Sequence, residues 1–563
     1  MEFDVKFIPF SRYGSYLVFS HISGSDKIKE GLYLRSIHGG DDDMKIIFRL
    51  ELIKEGEAIP FQEIASPTLL RLESVHGYAE ICICEPDIVR VKGKGVGLRL
   101  TMDCKAYDYA ISVDDRRWEI NNASNEIKFM LTSIKGRLSV NAPWRINRSE
   151  CIIADFTPND NDEFECAIEE FVVNWKKNSY EESFESCHSK VEKEYMSWLN
   201  NTLETGEKYK NARELASYIT WSCVVSPKGK ITRPAMYMSK NWMTNIWSWD
   251  NCFNAMALAK NNPKLAWDQI MIFVDNQDES GTFPDFINDK FALWNFCKPP
   301  IQGWVLKWIM ERTDFIKKQH VEEIYKPLVK WTEWWFKYRD SDNDGILQYN
   351  HGNDSGWDNS TVFHEGVPVE SPDLTSFLII QMELLSEFAL ILNKTEEHKK
   401  WKEKANITLD KLLKHSWDGK RFVAFKSGTH KRINSDSLLL FIPIILGNRL
   451  PNNIIKSLVD GLKDNRRFLT EYGLATESIS SDYYIPNGYW RGPIWAPSTM
   501  IIVDSLKKIG EKQFAKEIAQ RYCSMILKNG MAENFNALTG EGLCDTAFTW
   551  TSSVFLILAN EYC

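Results

Sequence analysis

Over residues 1–178 apolar positions recur with a period of two. From 45 to 52, Ile46, Phe48, Leu50 and Leu52 alternate with Lys45, Arg49 and Glu51, the pattern of a strand with one buried face. Comparable runs lie at 16–19, 78–84, 96–102, 109–113 and 127–131, broken by Gly, Asp and Asn. Short strands at this spacing predict an antiparallel β-sandwich. Gly93-Lys94-Gly95-Val96-Gly97 resembles a phosphate loop only superficially, because no helical pattern follows it, and reads as a hairpin turn.

From 179 to 205 the chain shifts to Glu, Lys and Ser with helix-favouring spacing, a charged helical linker. Beyond it the period is helical. Leu374, Phe377, Leu378, Leu385, Phe388 and Leu392 fall within a narrow arc at 100° per residue. Caps and breakers predict helices at 208–226, 249–261, 263–278, 300–313, 318–340 and 372–393. Six more follow at 395–416, 435–446, 451–464, 492–509, 511–529 and 546–562. Short turns such as Asn261-Asn262-Pro263 and Leu450-Pro451-Asn452 alternate with long connections, which predicts six helical hairpins closed into a ring. No repeat at a fixed period supports an open solenoid. The expected fold is multidomain and mainly α: a β-sandwich (1–178), a helical linker (179–205) and an (α/α)6 barrel (206–563). Long loops at one end of that barrel would build the site.

Composition narrows the function classes. The chain has 563 residues, 44% hydrophobic and 26% charged, as in an ordinary soluble globular protein of two or more units. Its 21 Trp are unusual. A buried indole N–H needs a partner, so such an excess goes with large helix interfaces or with pockets that stack on sugar rings. A net charge of −9 with no Lys/Arg-rich run lacks the footprint of nucleic-acid binding. No run approaches the roughly 18–20 apolar residues of a membrane span, so no membrane partner is expected. The first residues lack a basic-then-apolar secretory pattern. The 12 Cys are scattered, Cys82 and Cys84 share one strand face, and no C-x-x-C pair or His-rich cluster marks zinc. A cytoplasmic protein with reduced thiols is expected.

The chemistry gathers in aromatic-acidic loops between the predicted helices. These are Trp247-Ser248-Trp249-Asp250, Gly281-Thr282-Phe283-Pro284-Asp285, and Lys298-Pro299-Pro300-Ile301-Gln302-Gly303-Trp304. Next come Asn353-Asp354-Ser355-Gly356-Trp357-Asp358-Asn359-Ser360, Gly488-Tyr489-Trp490-Arg491-Gly492-Pro493-Ile494-Trp495, and Ala532-Glu533-Asn534-Phe535. A tryptophan beside an acid suits a pocket that stacks on a sugar face and protonates an oxygen. The candidate substrate-binding residues are Trp247, Trp249, Asp250, Gln302, Trp304, Trp357, Asn359, Trp490, Arg491 and Trp495.

Taken in order, Trp247-Ser248-Trp249-Asp250, Lys298-Pro299-Pro300, Ser355-Gly356-Trp357-Asp358-Asn359-Ser360 and Tyr489-Trp490-Arg491-Gly492-Pro493-Ile494-Trp495 resemble glycoside hydrolase family 63 over 205–563. That family shares an (α/α)6 clan with the family 37 trehalases, and its members hydrolyse with inversion. The resemblance places Asp358 as general acid and Glu533 as general base. Such a pair stands roughly 6.5–9.5 Å apart, so that water fits between base and sugar. It also implies that Asp250 binds sugar hydroxyls. For Asp358 to stay protonated, burial and nearby acids must raise its pKa, with Asp354 and Asp250 as candidate neighbours.

Each assignment has a structural rival. Asp358 also fits a helix N-cap, a role for which Asn359 and Ser360 compete. Glu533 also fits a solvated loop acid, and Glu541 competes with it as base. Asp250 fits a cap. Trp249, Trp304, Trp357, Trp490 and Trp495 fit inter-helix packing as well as stacking platforms. Arg491 fits an ion pair to a loop acid as well as a substrate ligand. Trp331, Trp334 and Trp335, inside one long helix, read as core. Asp340-Ser341-Asp342-Asn343-Asp344-Gly345 has the D-x-D-x-D-G spacing of a calcium loop through Asp340, Asp342 and Asp344. His351, however, holds the twelfth position, where a Glu normally closes the coordination. A tight Asx turn competes with that reading. Apart from such a structural calcium, no cofactor is expected.

The expected activity is an inverting, exo-acting α-glycosidase releasing terminal α-linked glucose or mannose from a small glycoside or oligosaccharide. Glucosyl- or mannosylglycerate hydrolysis and trehalase-like α-glucosidase activity are its variants. Glycoside phosphorolysis would replace the base that Glu533 supplies. Epimerase chemistry needs a His pair these loops lack. A sugar-binding protein with a degenerate barrel would not need both acid and base. The sequence pattern does not address oligomeric state, linkage or leaving group.

Overall fold

The computed structural model describes residues 1–41 and 43–563. The chain forms two compact units: Met1–Asn201 with Ser217–Ser226 and Ser239–Thr244, and Thr202–Ala216 with Pro227–Met238 and Asn245–Cys563.

The first unit is two antiparallel sheets. One runs in the order Leu17–Ile22, Gly31–Ser36, Ile46–Lys54, Gly97–Asp103, Cys151–Thr157, Arg137–Asn141, with Glu57–Ile59 also on Ile46–Lys54. The other runs Tyr109–Asp114, Arg117–Asn122, Ile127–Lys135, Glu163–Phe171, Ile88–Lys94, Gly77–Glu85, Leu70–Ser74, Gln62–Ala65. Leu34, Leu50 and Leu100 of the first sheet and Ile81, Val89 and Ile168 of the second belong to one buried core. Phe48 meets Phe129 edge-on across it at 5.5 Å. Each such side chain contributes about 1.5–3 kcal/mol of burial. Strands buried on both faces have no alternation to read. Glu163–Phe171 is buried throughout its middle. Its acids are instead partnered: Arg90 pairs with Glu165, Ser36 Oγ donates to Glu170 Oε2 at 2.6 Å, and Trp175 Nε1 donates to Glu169 Oε2 at 2.8 Å.

Two expectations change here. The Gly93–Gly97 stretch joins strands of different sheets, so it is a crossover and not a hairpin. Gly95 turns at φ +81°, where a Cβ would lie 2.2 Å from the His76 carbonyl oxygen. The helix α1 (Phe184–Asn201) is no free linker. It buries Phe184, Val191 and Tyr195 and packs on Gly77–Glu85 and Ile88–Lys94, within the first unit.

In the second unit the helices are α2 (Lys210–Ser222, shared with the first), α3 (Asp250–Leu258), α4 (Pro263–Asp275), α5 (Gln302–Met310), α6 (Lys318–Tyr338), α7 (Pro372–Ile391), α8 (Thr395–Ser416), α9 (Asn452–Lys463), α10 (Ala496–Lys508), α11 (Lys512–Asn529) and α12 (Thr549–Glu561). The eighth predicted helix, 435–446, is a 3-10 segment at Leu438–Arg449. Pro443 removes an N–H inside it, and Gly447 leaves helical geometry. Contacts close into a cycle: α3 with α5, α5 with α7, α7 with the 3-10 segment, that segment with α10, α10 with α12, and α12 with α3. Outside it, α4 lies on α3, α8 on α7, α9 on the 3-10 segment, and α11 on α10 and α12.

Burial explains the two layers. The outer α9 buries one stripe, Ile454, Leu458, Val459 and Leu462. The inner α7 is buried nearly all round. By length and composition α7 would be apolar enough to cross a membrane, contrary to the sequence reading, but it sits inside this cycle.

Three small sheets recur at the N-terminal ends of inner helices. Ile246–Trp247 ahead of α3 pairs with Phe286–Ile287, and that strand with Ala292–Leu293. Val369–Glu370 ahead of α7 pairs with Phe425–Lys426, and that with Lys431–Arg432. Ile494–Trp495 ahead of α10 pairs with Asn534–Phe535, and that with Gly542–Leu543.

Candidate active site

Asp250 opens α3, the Lys298 segment leads into α5, Asp358 lies on the approach to α7, Tyr489 precedes α10, and Glu533 precedes α12. Each therefore lies in a segment that leads into an inner helix, and Asp250 occupies the first turn of α3, where the helix dipole favours negative charge.

Asp250 and Glu533 are buried, Asp358 is partly so, and the charge on Asp358 raises both of the others. Burial pushes the Asp250 carboxyl up to about 8, opposed by the Lys298 ammonium and assisted by Asp285 and Asp358. Its Oδ2 is buried with no hydrogen-bond partner. Burial also raises Asp358, again opposed by Lys298, with Asp285 raising it and His351 lowering it. Burial pushes Glu533 up to about 8, with Asp545 and Asp358 adding to the rise and the Tyr489 hydroxyl opposing it. That hydroxyl donates to Glu533 Oε1 at 3.0 Å, while the Asp545 N–H stands 3.5 Å from Oε2. Glu533 is 5% exposed, whereas Glu541 lies in solvent and does not reach this group.

The sequence reading passed over Lys298 as a functional residue. Its ammonium, 5% exposed, lies 2.9 Å from Asp285 Oδ1 and donates to Asn353 at the carbonyl (2.9 Å) and at Oδ1 (2.7 Å). Asn353 Nδ2 returns a bond to Asp285 Oδ2 at 3.2 Å. This triad fixes the 3-10 turn Gly352–Ser355, from which the chain runs on to Asp358. Asp354 serves the same turn and does not appear among the groups that raise Asp358. It accepts from the N–H groups of Cys297 (3.1 Å) and Asn350 (3.0 Å). Gly356 completes the turn at φ +73°, where a Cβ would press on the Trp249 indole at 2.7 Å.

Several predicted substrate ligands are spent on the protein itself. Gln302 uses both ends of its amide, donating to Ser248 O (3.3 Å) and accepting from Trp331 Nε1 (3.2 Å). Asn359 clasps the next loop, donating to Gly488 O (3.0 Å) and accepting from Trp490 N (2.9 Å). Arg491 donates to the Tyr483 carbonyl at 3.2 Å and acts on Glu477 through its charge. Trp304 is a core residue, its Nε1 donating to Asp504 at 3.3 Å.

The stacking platforms are likewise corrected. Trp249, Trp304, Trp357, Trp490 and Trp495 are each 3% exposed or less, so none offers an open ring face. Trp490 instead stacks on Trp495 at 4.0 Å and 6°, and Trp357 lies tilted against Trp490 at 4.6 Å and 33°. The stack supports the acids from behind, since Trp495 Nε1 donates to Tyr489 O (2.9 Å) and Trp550 Nε1 to Glu533 O (3.2 Å). Among the candidate tryptophans Trp247 keeps the largest exposure, 9%, beside Phe286. Trp331, Trp334 and Trp335 are core as expected.

The residues of the predicted calcium loop have divided partners. Asp340 turns inward to accept from Gly345 N at 3.1 Å. Asp342 and Asp344 instead converge with Glu370 and His430.

A family model described as the mannosylglycerate hydrolase MGH1-like glycoside hydrolase domain matches residues 243–551. The mannosylglycerate hydrolase of Rubrobacter radiotolerans is 20% identical over 427 residues, spanning 59% of this chain and 94% of its own. The glucosylglycerate hydrolase of Mycolicibacterium hassiacum is 20% identical over 410 residues, 55% of this chain and 91% of its own. Among solved structures, a bacterial glucoamylase complexed with acarbose aligns with a TM-score of 0.65 at 12% identity, over 98% of this chain and 93% of its own. The GH63 mannosylglycerate hydrolase of Thermus thermophilus, in complex with glucose, aligns with a TM-score of 0.52 at 16% identity, over 62% and 98%. At these identities the structures speak to fold.

Proposed function

The chain belongs to the MGH1-like glycoside hydrolases of family 63, and from that membership we propose an inverting, exo-acting α-glycosidase that releases terminal α-linked glucose or mannose. The helical cycle is read as an (α/α)6 barrel. The substrate is a small glycoside, with a glycosylglycerate first among candidates because curated relatives bear the names mannosylglycerate and glucosylglycerate hydrolase. A reducing, cytoplasmic setting goes with this reading and is supported by the 12 free thiols.

The observation that carries the proposal is that Asp358 stands within range for its charge to raise two buried acids, Asp250 and Glu533. In the reaction Asp358 gives its proton to the leaving oxygen as the glycosidic C–O bond breaks. Water attacks the anomeric carbon from the opposite face and yields a proton to Glu533. One proton must therefore reside on Asp358 while Glu533 is bare. Burial raises both carboxyls, Glu533 to about 8. Protonating Asp358 removes one of the charges that hold Glu533 up. Asp250, pushed to about 8, is protonated near neutrality and is able to donate to a sugar hydroxyl. Buried polar atoms without partners, Ser248 Oγ and both amide atoms of Asn534, lie on the same segments and are further candidate sugar contacts.

The test is NMR of fresh products from a panel of glycosylglycerates and α-linked disaccharides. A β-anomeric product from an α-linked substrate is expected. A retained anomer, or turnover unchanged in both Asp358→Asn and Glu533→Gln, would sink the mechanism.

A further inference from the structure

Some distance along the chain from the acids, a different set of ligating atoms comes together. His430 Nε2 lies 3.1 Å from Asp342 Oδ2, 3.4 Å from Asp344 Oδ2 and 3.7 Å from Glu370 Oε1, and the four ligand atoms all lie within 4.8 Å of one another. Glu370 is 0% exposed, and its Oε1 accepts no hydrogen bond. A buried carboxylate in that condition is costly unless a charge meets it.

The surroundings orient each group toward a common point. Ile346 N donates to Asp344 Oδ1 at 2.6 Å and Gly428 N to Asp342 Oδ2 at 2.9 Å. His415 Nε2 stands 2.8 Å from Glu370 Oε2, the far oxygen, which leaves Oε1 turned to the cluster. The nearby Lys411 ammonium is occupied with the Asp344 carbonyl at 2.7 Å. Such outer contacts are the usual support of metal ligands.

We propose that Asp342, Asp344, Glu370 and His430 form a structural site for a divalent first-row transition cation of the zinc or manganese class. Calcium takes six to eight oxygens, whereas this set is one imidazole nitrogen and three carboxylates. A tetrahedron with ligand bonds of about 2.0–2.1 Å has edges of about 3.3–3.4 Å, in the middle of the three His430 distances. The site ties three segments: the 340–345 turn, the strand Val369–Glu370, and the turn between Phe425–Lys426 and Lys431–Arg432. Asp344 and Glu370 bracket the stretch carrying Asp358, so the cation staples the two ends of the acid loop.

The test uses the full chain, dialysed against a chelator and then titrated separately with zinc, manganese and calcium chloride by calorimetry and thermal melting. One equivalent of zinc or manganese is expected to bind at least about tenfold more tightly than calcium and to raise the melting temperature by several degrees. His430→Gln is expected to weaken that binding about 100-fold, and Asp342→Asn to do likewise should the first variant fail to fold. Absence of 1:1 binding by both transition cations, binding indifferent to these substitutions, or tighter binding of calcium would overturn the assignment. These readouts do not involve hydrolysis, so they stand or fall apart from the proposed activity.

Discussion

Two of the short hairpins hold an acid at the same place. Asp285 immediately precedes Phe286–Ile287, which pairs with the strand leading to α3, and Glu533 immediately precedes Asn534–Phe535, which pairs with the strand leading to α10. Asp285 has the Lys298 ammonium at 2.9 Å and the Asn353 amide at 3.2 Å. Glu533 has a neutral hydroxyl, Tyr489, at 3.0 Å and the Asp545 carboxylate as a repulsive neighbour. One motif thus yields two kinds of acid. A carboxylate locked to a buried ammonium holds loops in place, and one given only a hydroxyl is left free to take up and release a proton.

The largest test of that contrast is on turnover. Glu533→Gln is expected to lower kcat by about 10²–10⁴-fold on all substrates. Asp358→Asn is expected to do so on ordinary glycosides but far less on glycosyl fluorides, whose leaving group needs no proton. Equal losses on both substrate types would reverse or void the roles. Next in size, Lys298→Met leaves Asp285 buried without its cation and is expected to cost about 3–5 kcal/mol, read from denaturant unfolding. Removing Tyr489 by Tyr489→Phe should cost much less stability.

A smaller effect is on pH dependence. Glu533 must be bare, so kcat/KM is expected to rise with pH through about 8, and Tyr489→Phe, which deletes an opposing hydrogen bond, moves that limb upward. Stability follows the opposite sign. Between the ordinary values of 3.8 and 4.5 and the folded values of about 8, Asp250 and Glu533 hold protons that the unfolded chain has released. Their contribution is therefore complete below the ordinary values and is lost as pH rises through about 8. Asp250→Asn and Glu533→Gln should flatten the fall in melting temperature between roughly pH 5 and 8. The smallest effect is expected from Glu541→Gln, on the exposed turn of the same hairpin, with kcat inside about twofold of the parent.

The layout of the helical unit was legible because amphipathic stripes and Pro- or Gly-marked ends are local signals. Leu438–Arg449 defeated the helix type, since Pro443 and Gly447 alter its hydrogen bonding without disturbing its apolar run. Asp250, Asp358 and Glu533 stood out through their motifs, and the structure brings the charge of Asp358 within reach of the other two. Lys298 and Tyr489 were visible in those motifs, but their partners Asp285 and Glu533 come from other loops. The tryptophans misled for a related reason. A loop indole looks available for stacking until the neighbouring loops cover it, as Trp490 and Trp495 cover each other. His430 gave no signal at all, being separated from Asp344 by more than a full helical hairpin.

The stacked indoles have one more consequence. Parallel rings 4.0 Å apart are coupled chromophores, and Trp495 is bonded to the backbone of the tyrosine that touches Glu533. Sugar arrival or a change of charge on Glu533 should therefore register in near-ultraviolet circular dichroism and tryptophan emission. The molecule carries its own dye, placed where occupancy of the site can be followed without a label.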